Sequence, residues 1–227
     1  MKPVDSLKIL AVSDIEDGLI YSPAIKERYK DVDLVISCGD LPYYYLEYII
    51  SMLDVPLYFV LGNHANTIEI TSGGERRMPW GAIDIHRKCI RTSNGLLVAG
   101  IEGCLRYNYG PHQYTQNAMW MMALGLVPSL LLNRLLYGRY LDILATHAPP
   151  WKIHDKDDLP HRGIKAFNWL IRSFKPAYHL HGHIHIYRLD TETITQSYNT
   201  QVVNVFGHRK INISLPSKSH SGRKAQQ

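Results

Sequence analysis

The chain has 227 residues, 45% of them hydrophobic, enough to bury one substantial core in an ordinary globular protein. Its formal charge is +5, but Lys218, Arg223 and Lys224 lie in the stretch LPSKSHSGRKAQQ, and without them the balance falls to +2. So small an excess implies a mixed surface and is weak evidence for a nucleic-acid partner.

In chain order, KILAVSD reads as an apolar strand ending in charge. SPAIKERY follows as a helix, with Ser22 as N-cap and Pro23 at its first position. DLVISCGD, PYYYLEYIISML and PLYFVLGNH continue a β-α-β-α-β alternation, which predicts a parallel or mixed sheet covered on both faces. AIDIHRKCIRTSNGLLVAGIEG reads as two strands joined at Asn94-Gly95. QNAMWMMALGLVPSLLLNRLLYGR reads as two short helices separated by Pro128. The strand DILATHAPP, the charged loop HDKDDLP, the helix HRGIKAFNWLIRSF, the strand AYHLHGHIH and the strands TQVVNVFG and KINISL complete the pattern. No internal repeat is present. One domain is expected over 1–215, with a disordered basic tail at 216–227.

The opening strand has too short an apolar run for a signal-peptide core or a membrane span. The three cysteines are an odd count, and Cys38 sits inside an apolar run. Both features predict a cytoplasmic location.

Polar groups gather at the strand ends. Asp14, Asp40, His147, His183 and His185 can coordinate metals, and Asn63 can supply an amide oxygen. GD at 39–40, GNH at 62–64, THAPP at 146–150 and GHIH at 182–185 occur in the order and strand context of the calcineurin-like metallophosphoesterase superfamily. The chain resembles that superfamily from about Lys8 to Leu215. The resemblance implies an α/β fold, a layered α-β-β-α sandwich with mixed sheets. It also implies two divalent cations about 3.5–4 Å apart that hold a bridging hydroxide and orient a phosphoryl group. Asp40 would bridge them, Asn63, His147 and His183 would complete one site, and Asp14 and His185 would belong to the other. His64 resembles the family's general acid.

Two positions depart from the pattern. The first motif is usually Asp-x-His, and here it is Asp14-Ile15-Glu16. If extended geometry persists past Asp14, residues 14 and 16 face the same way, and Glu16 replaces the imidazole while Asp17 points elsewhere. Alternatively, both carboxylates solvate a loop and cap the next helix. An oxygen-rich site suits Mn²⁺ or Mg²⁺, and Mn²⁺ is the expected metal, with Fe, Zn or Ni as alternatives. The second departure is Ala65, where an acidic residue often orients the preceding histidine.

Residues 66–140 lie between motifs, where the family varies its substrate-binding elements. In RYNYGPHQY, Arg106 and His112 are candidates to clamp a phosphate, with Tyr107, Tyr109 and Tyr114 available to stack on a ring. A tyrosine-rich surface loop is the competing reading. AMWMMALGLVPSLLL (118–132) carries no charge and predicts core or dimer-interface helices, with interfacial membrane contact as an alternative. The expected function is a phosphoester hydrolase acting on a phosphorylated small molecule or nucleotide, with diesters preferred over monoesters. The rivals are a non-catalytic metal-binding module and a membrane-surface lipid phosphate hydrolase.

Overall fold

The computed structural model describes residues 6–65, 68–71, 74–188 and 190–214. The predicted tail at 216–227 lies outside them. The elements run β1 (Leu7–Ser13), α1 (Ile25–Arg28), β2 (Leu34–Ser37), α2 (Tyr43–Leu53) and β3 (Leu57–Phe59). Next come β4 (Glu69–Thr71), β5 (Gly74–Arg76), β6 (Ala82–Asp84), β7 (Cys89–Arg91), β8 (Leu97–Ile101), β9 (Cys104–Leu105) and β10 (Gln113–Tyr114). The chain continues with α3 (Gln116–Tyr137), β11 (Ile143–Thr146), α4 (Lys165–Phe174) and β12 (Tyr178–His181), then β13 (Ile194–Ser197), β14 (Thr200–Asn204) and β15 (Gly207–Ile213).

Two large sheets form the body of the fold, one ordered β15-β1-β2-β3-β6 and the other β13-β14-β12-β11-β8-β7, beside the two-stranded pairs β9-β10 and β4-β5. In the first, β1, β2, β3 and β6 are parallel and β15 is antiparallel; in the second, β8, β11, β12 and β14 are parallel between antiparallel edges. Period-2 alternation sorts the side chains into layers. Ile9 and Ala11 of β1 join Ile36, Val98, Ala145 and Leu180 in the core between the sheets. Leu10 and Val12 face the other way, onto Ile25, Leu46 and Ile49 of the α1–α2 layer. On the second sheet, Ala99, Ile101 and Leu144 pack against α3 and α4. The architecture is the expected α-β-β-α sandwich.

Three local expectations are corrected. Ser22 does not cap α1: its hydroxyl donates to the Leu19 carbonyl, and the short helix starts after Ala24. The segment read as two strands joined at Asn94-Gly95 keeps that turn but holds a third strand at its start, in the other sheet. β6 pairs with β3, and β7 turns through Asn94-Gly95 to pair with β8. Pro128 does not split the apolar segment, because α3 runs through it for 22 residues. Proline removes one backbone donor and crowds the preceding turn, and here both Pro128 and Leu124, four residues earlier, lie on the exposed side. Thr115 caps the helix start, its hydroxyl accepting from Ala118 N at 3.1 Å, and Gly138 ends it in the left-handed region at φ 74°.

Candidate metal centre at the strand ends

Parallel strands converge their carboxyl ends on one edge of the sandwich, and the loops after β1, β2, β3, β11 and β12 meet there. Among the non-glycine residues of these loops in the left-handed region are Asp14 (φ 69°), Asp40 (φ 56°) and His183 (φ 68°). Such conformations cost about 1 kcal/mol or more each and persist where surrounding structure holds them, commonly at functional sites. The glycines between them admit the close approach. A Cβ at Gly62 would sit 2.0 Å from Asp40 Oδ1, and one at Gly182 would sit 2.6 Å from Asp14 Oδ2.

Asp40, His147 and His183 each bring one potential ligand atom to within 4.8 Å of the others. His147 is fully buried, and its Nδ1 donates to the Cys38 carbonyl at 2.8 Å. That bond aims Nε2 at Asn63 Oδ1, 3.0 Å away, and at Asp40 Oδ2, 3.1 Å away. The other Asp40 oxygen accepts from the His64 backbone N–H at 2.8 Å. His183 Nε2 lies 2.8 Å from the Pro160 carbonyl, which can only accept, so Nδ1 is the atom left with a lone pair. The His183 backbone N–H donates to Asp14 Oδ1 at 2.8 Å, while Asp14 Oδ2 is buried with no hydrogen-bond partner.

The electrostatics are those of a site arranged for positive charge. Burial raises Asp14 above the usual carboxylate range, and the Asp40 charge adds to that rise against the pull of His147. Burial acts upward on Asp40 too, but the His147 cation and the hydrogen bonds it accepts bring it down. Burial acts downward on His147, and the Asp40 charge overcomes this and raises it. Burial, with the nearby His147 charge, lowers His183 to about 3, so its ring stays neutral and able to ligate. Two close carboxylates, one with an orphaned buried oxygen, a neutral imidazole and an amide oxygen fit a divalent cation.

The contacts above join Asp14, Asp40, Asn63, His147 and His183, and they do not include Glu16 or His185. Extended geometry does not persist past Asp14: β1 ends at Ser13, and the positive φ at Asp14 turns the chain. Glu16 therefore points outward, exposed, and accepts from the Tyr44 hydroxyl at 2.5 Å. Asp17 caps a turn through Leu19 N and pairs with His208 at 2.7 Å. His185 stacks on Phe206, with centroids 4.8 Å apart, and its Nδ1 meets the Tyr187 hydroxyl. It lines a cavity of about 400 Å³ with His154, Lys156 and Arg188.

His64 is exposed beside Asp40, and Ala65 after it is buried. Arg106 bonds to the Gln113 carbonyl at 3.3 Å, and His112 pairs with Glu102 at 3.0 Å. The tyrosine loop contributes in another way, through Tyr107, whose hydroxyl contacts Asn63 Nδ2 at 3.1 Å. The sequence marks that loop for ring stacking and gives no sign of the amide contact. The carbonyls of Cys38 and Pro160, which orient the two imidazoles, carry no sequence signal at all.

Comparison with known proteins places this geometry in a family. No curated protein matches the chain. A solved crystal structure superimposes with a TM-score of 0.60 at 15% identity, covering 92% of this chain and 99% of its own. That of TT1561 from Thermus thermophilus does so with a TM-score of 0.57 at 14% identity, covering 92% and 98%. At such identities the likeness shows a shared fold. Residues 7–187 match the family model described as calcineurin-like phosphoesterase. The chain belongs to the calcineurin-like phosphoesterase family, whose members are metal-dependent phosphoester hydrolases.

Proposed function

We propose that the protein hydrolyses phosphodiesters of small molecules or nucleotides, using two divalent cations, with Mn²⁺ preferred. The observation that supports this reading is the convergence of Asp40, Asn63, His147 and His183 beside the unpartnered Asp14 oxygen. Asp40, Asn63, His147 and His183 would hold one cation, and Asp14 with the shared Asp40 would hold the other. When bound, the cations supply Lewis acidity toward a phosphoryl oxygen and lower the pKa of water.

The protein's own residues do the remaining work. The Cys38 carbonyl fixes His147 so that its Nε2 faces the centre, and the Pro160 carbonyl does the same for His183 Nδ1. The exposed His64 ring, anchored through its backbone to Asp40, can hold a proton for a departing alkoxide. Such an acid assists esters of poor leaving groups, because an alkoxide leaves slowly unless it is protonated.

One observation favours a second reading. Glu16 is bonded to Tyr44 instead of standing in for the missing first-motif imidazole, which suits a binding module that holds a single metal. The deciding experiment reconstitutes the metal-free protein with Mn²⁺, counts bound metal, and compares bis-p-nitrophenyl phosphate with p-nitrophenyl phosphate. Two metals per chain and faster diester turnover are expected. One metal without turnover would instead identify the module.

A further inference from the structure

α3 is apolar on two faces, and the domain covers only one of them. Met119, Met122, Leu126 and Leu130 are buried against the second sheet and α4. On the other side a stripe runs the length of the helix at helical spacing: Met121 is 70% exposed and Leu135 81% exposed, with Leu124, Leu131, Leu132 and Leu136 also open. A contiguous apolar stripe on an otherwise ordinary surface marks an interaction site. Only a third of the most apolar window of this helix is buried.

The charges carried by α3 and α4 have one sign. Neither α3 nor α4 contains an Asp or Glu. At the C-terminal end of α3, Arg134, Arg139 and Lys175 line a cleft of about 430 Å³ with Tyr140, Ser173 and Phe174. Arg139 is paired with the buried Asp142 at 2.7 Å, but the Arg134 guanidinium lies over the Tyr140 ring at 5.6 Å, and Arg172 is exposed on α4. Arg91 lies 5.2 Å over the Tyr137 ring at the same end. Apolar side chains flanked by cations and by tyrosines are what a bilayer interface of anionic lipids accommodates, the leucines entering the acyl boundary and the cations meeting the headgroups.

We propose that the α3–α4 layer is a docking surface for anionic lipid bilayers, on which α3 lies flat. The helix does not span, because its other face forms the outer core of the second sheet and cannot leave it. A second copy of this chain is the weaker occupant. A two-fold interface presents the same patch from both sides, and this patch offers no carboxylate to meet its own cations. The proposal is independent of the hydrolytic reading. α3 starts just after β10, close to the ligand edge, and ends just before β11, at the opposite end of the sandwich from the metal centre.

The test is co-sedimentation of the full chain with vesicles of phosphatidylcholine alone and of phosphatidylcholine mixed with phosphatidylglycerol, beside size-exclusion chromatography without lipid. Binding to the mixed vesicles is expected, with little to the neutral ones. Arg134→Glu and Lys175→Glu should each weaken it by about fivefold or more. Leu131→Ser with Leu135→Ser should weaken it by about tenfold or more. These side chains are exposed, and an unchanged melting temperature will show that the variants fold. Absence of wild-type sedimentation, or binding that the leucine variant retains, would overturn the proposal. A lipid-free dimer dispersed by the same leucine variant would overturn it too, assigning the stripe to a second copy.

Discussion

The Asn63 Nδ2 group donates to the Tyr107 hydroxyl at 3.1 Å, a contact that holds the side chain in place beside the centre. With its NH₂ group there, its Oδ1 faces His147 Nε2 at 3.0 Å. Tyr107→Phe removes the anchor and lets the amide rotate, presenting a donor where a ligand oxygen is needed. Mn²⁺ affinity is expected to fall about tenfold, the lower end of typical losses from such supporting groups. Competition with a fluorescent chelator measures it independently of turnover. An unchanged affinity would show that the tyrosine does not govern the amide.

His64→Ala should leave metal content intact, since the ring is exposed and only the backbone N–H contacts Asp40. Turnover should fall by roughly 10²-fold or more, and most steeply for substrates with poor leaving groups. The check is a series of aryl phosphodiesters of graded leaving-group pKa. Equal losses across the series would remove the acid role.

Glu16→Gln should change metal stoichiometry little, because that carboxylate is exposed and bonded to Tyr44. Asp14→Asn should lower occupancy clearly, because its Oδ2 is buried, unpartnered and next to the ligand group. Elemental analysis after Mn²⁺ reconstitution compares the two. If the Gln variant loses a metal while the Asn variant keeps it, the placement of the first motif described above is wrong.

Acid should destabilise the fold through His179. The Thr146 hydroxyl donates to the Ala148 carbonyl, so it accepts from His179 Nε2 at 2.8 Å, leaving Nδ1 bare and buried without a partner. Burial lowers this imidazole to about 3, helped by the charge of His154. The unfolded chain takes up the proton near pH 6.5 and the folded chain does not. The site's stabilising effect is therefore complete above about pH 6.5 and declines as pH falls, by about 1.4 kcal/mol per unit until the folded group also titrates. Urea unfolding between about pH 7 and 4.5 measures the slope, which His179→Leu should flatten by about one proton.

The layers and the polar strand ends are legible in the sequence for different reasons. Continuous runs such as Ile9 to Val12 and Leu34 to Ser37 announce buried parallel strands, and the motifs at Asp40, Asn63, His147 and His183 fall where those strands stop. The direction of Glu16 is not legible, because a positive φ at one aspartate reverses the side chains after it, and aspartate tolerates that region without a sequence mark. Pro128 misleads because the local rule against proline in helices yields when the missing bond lies on an exposed face. The route of β6 into the first sheet is invisible for a third reason. Three residues pairing with a strand so distant in sequence reflect tertiary packing and not local propensity.

The antiparallel pairing of β1 with β15, in register from Leu7↔Ile213 to Ser13↔Gly207, also bears on how the protein comes into being. A ribosome releases β1 early and β15 late, so through most of synthesis the apolar first strand has one open edge. Local helices and the β1-β2-β3 run can form, but the sheet keeps a template for mispairing until the last strand emerges. Nascent chains should consequently be the form most prone to aggregate and most dependent on chaperones, with that dependence ending abruptly once residues 207–213 clear the exit tunnel.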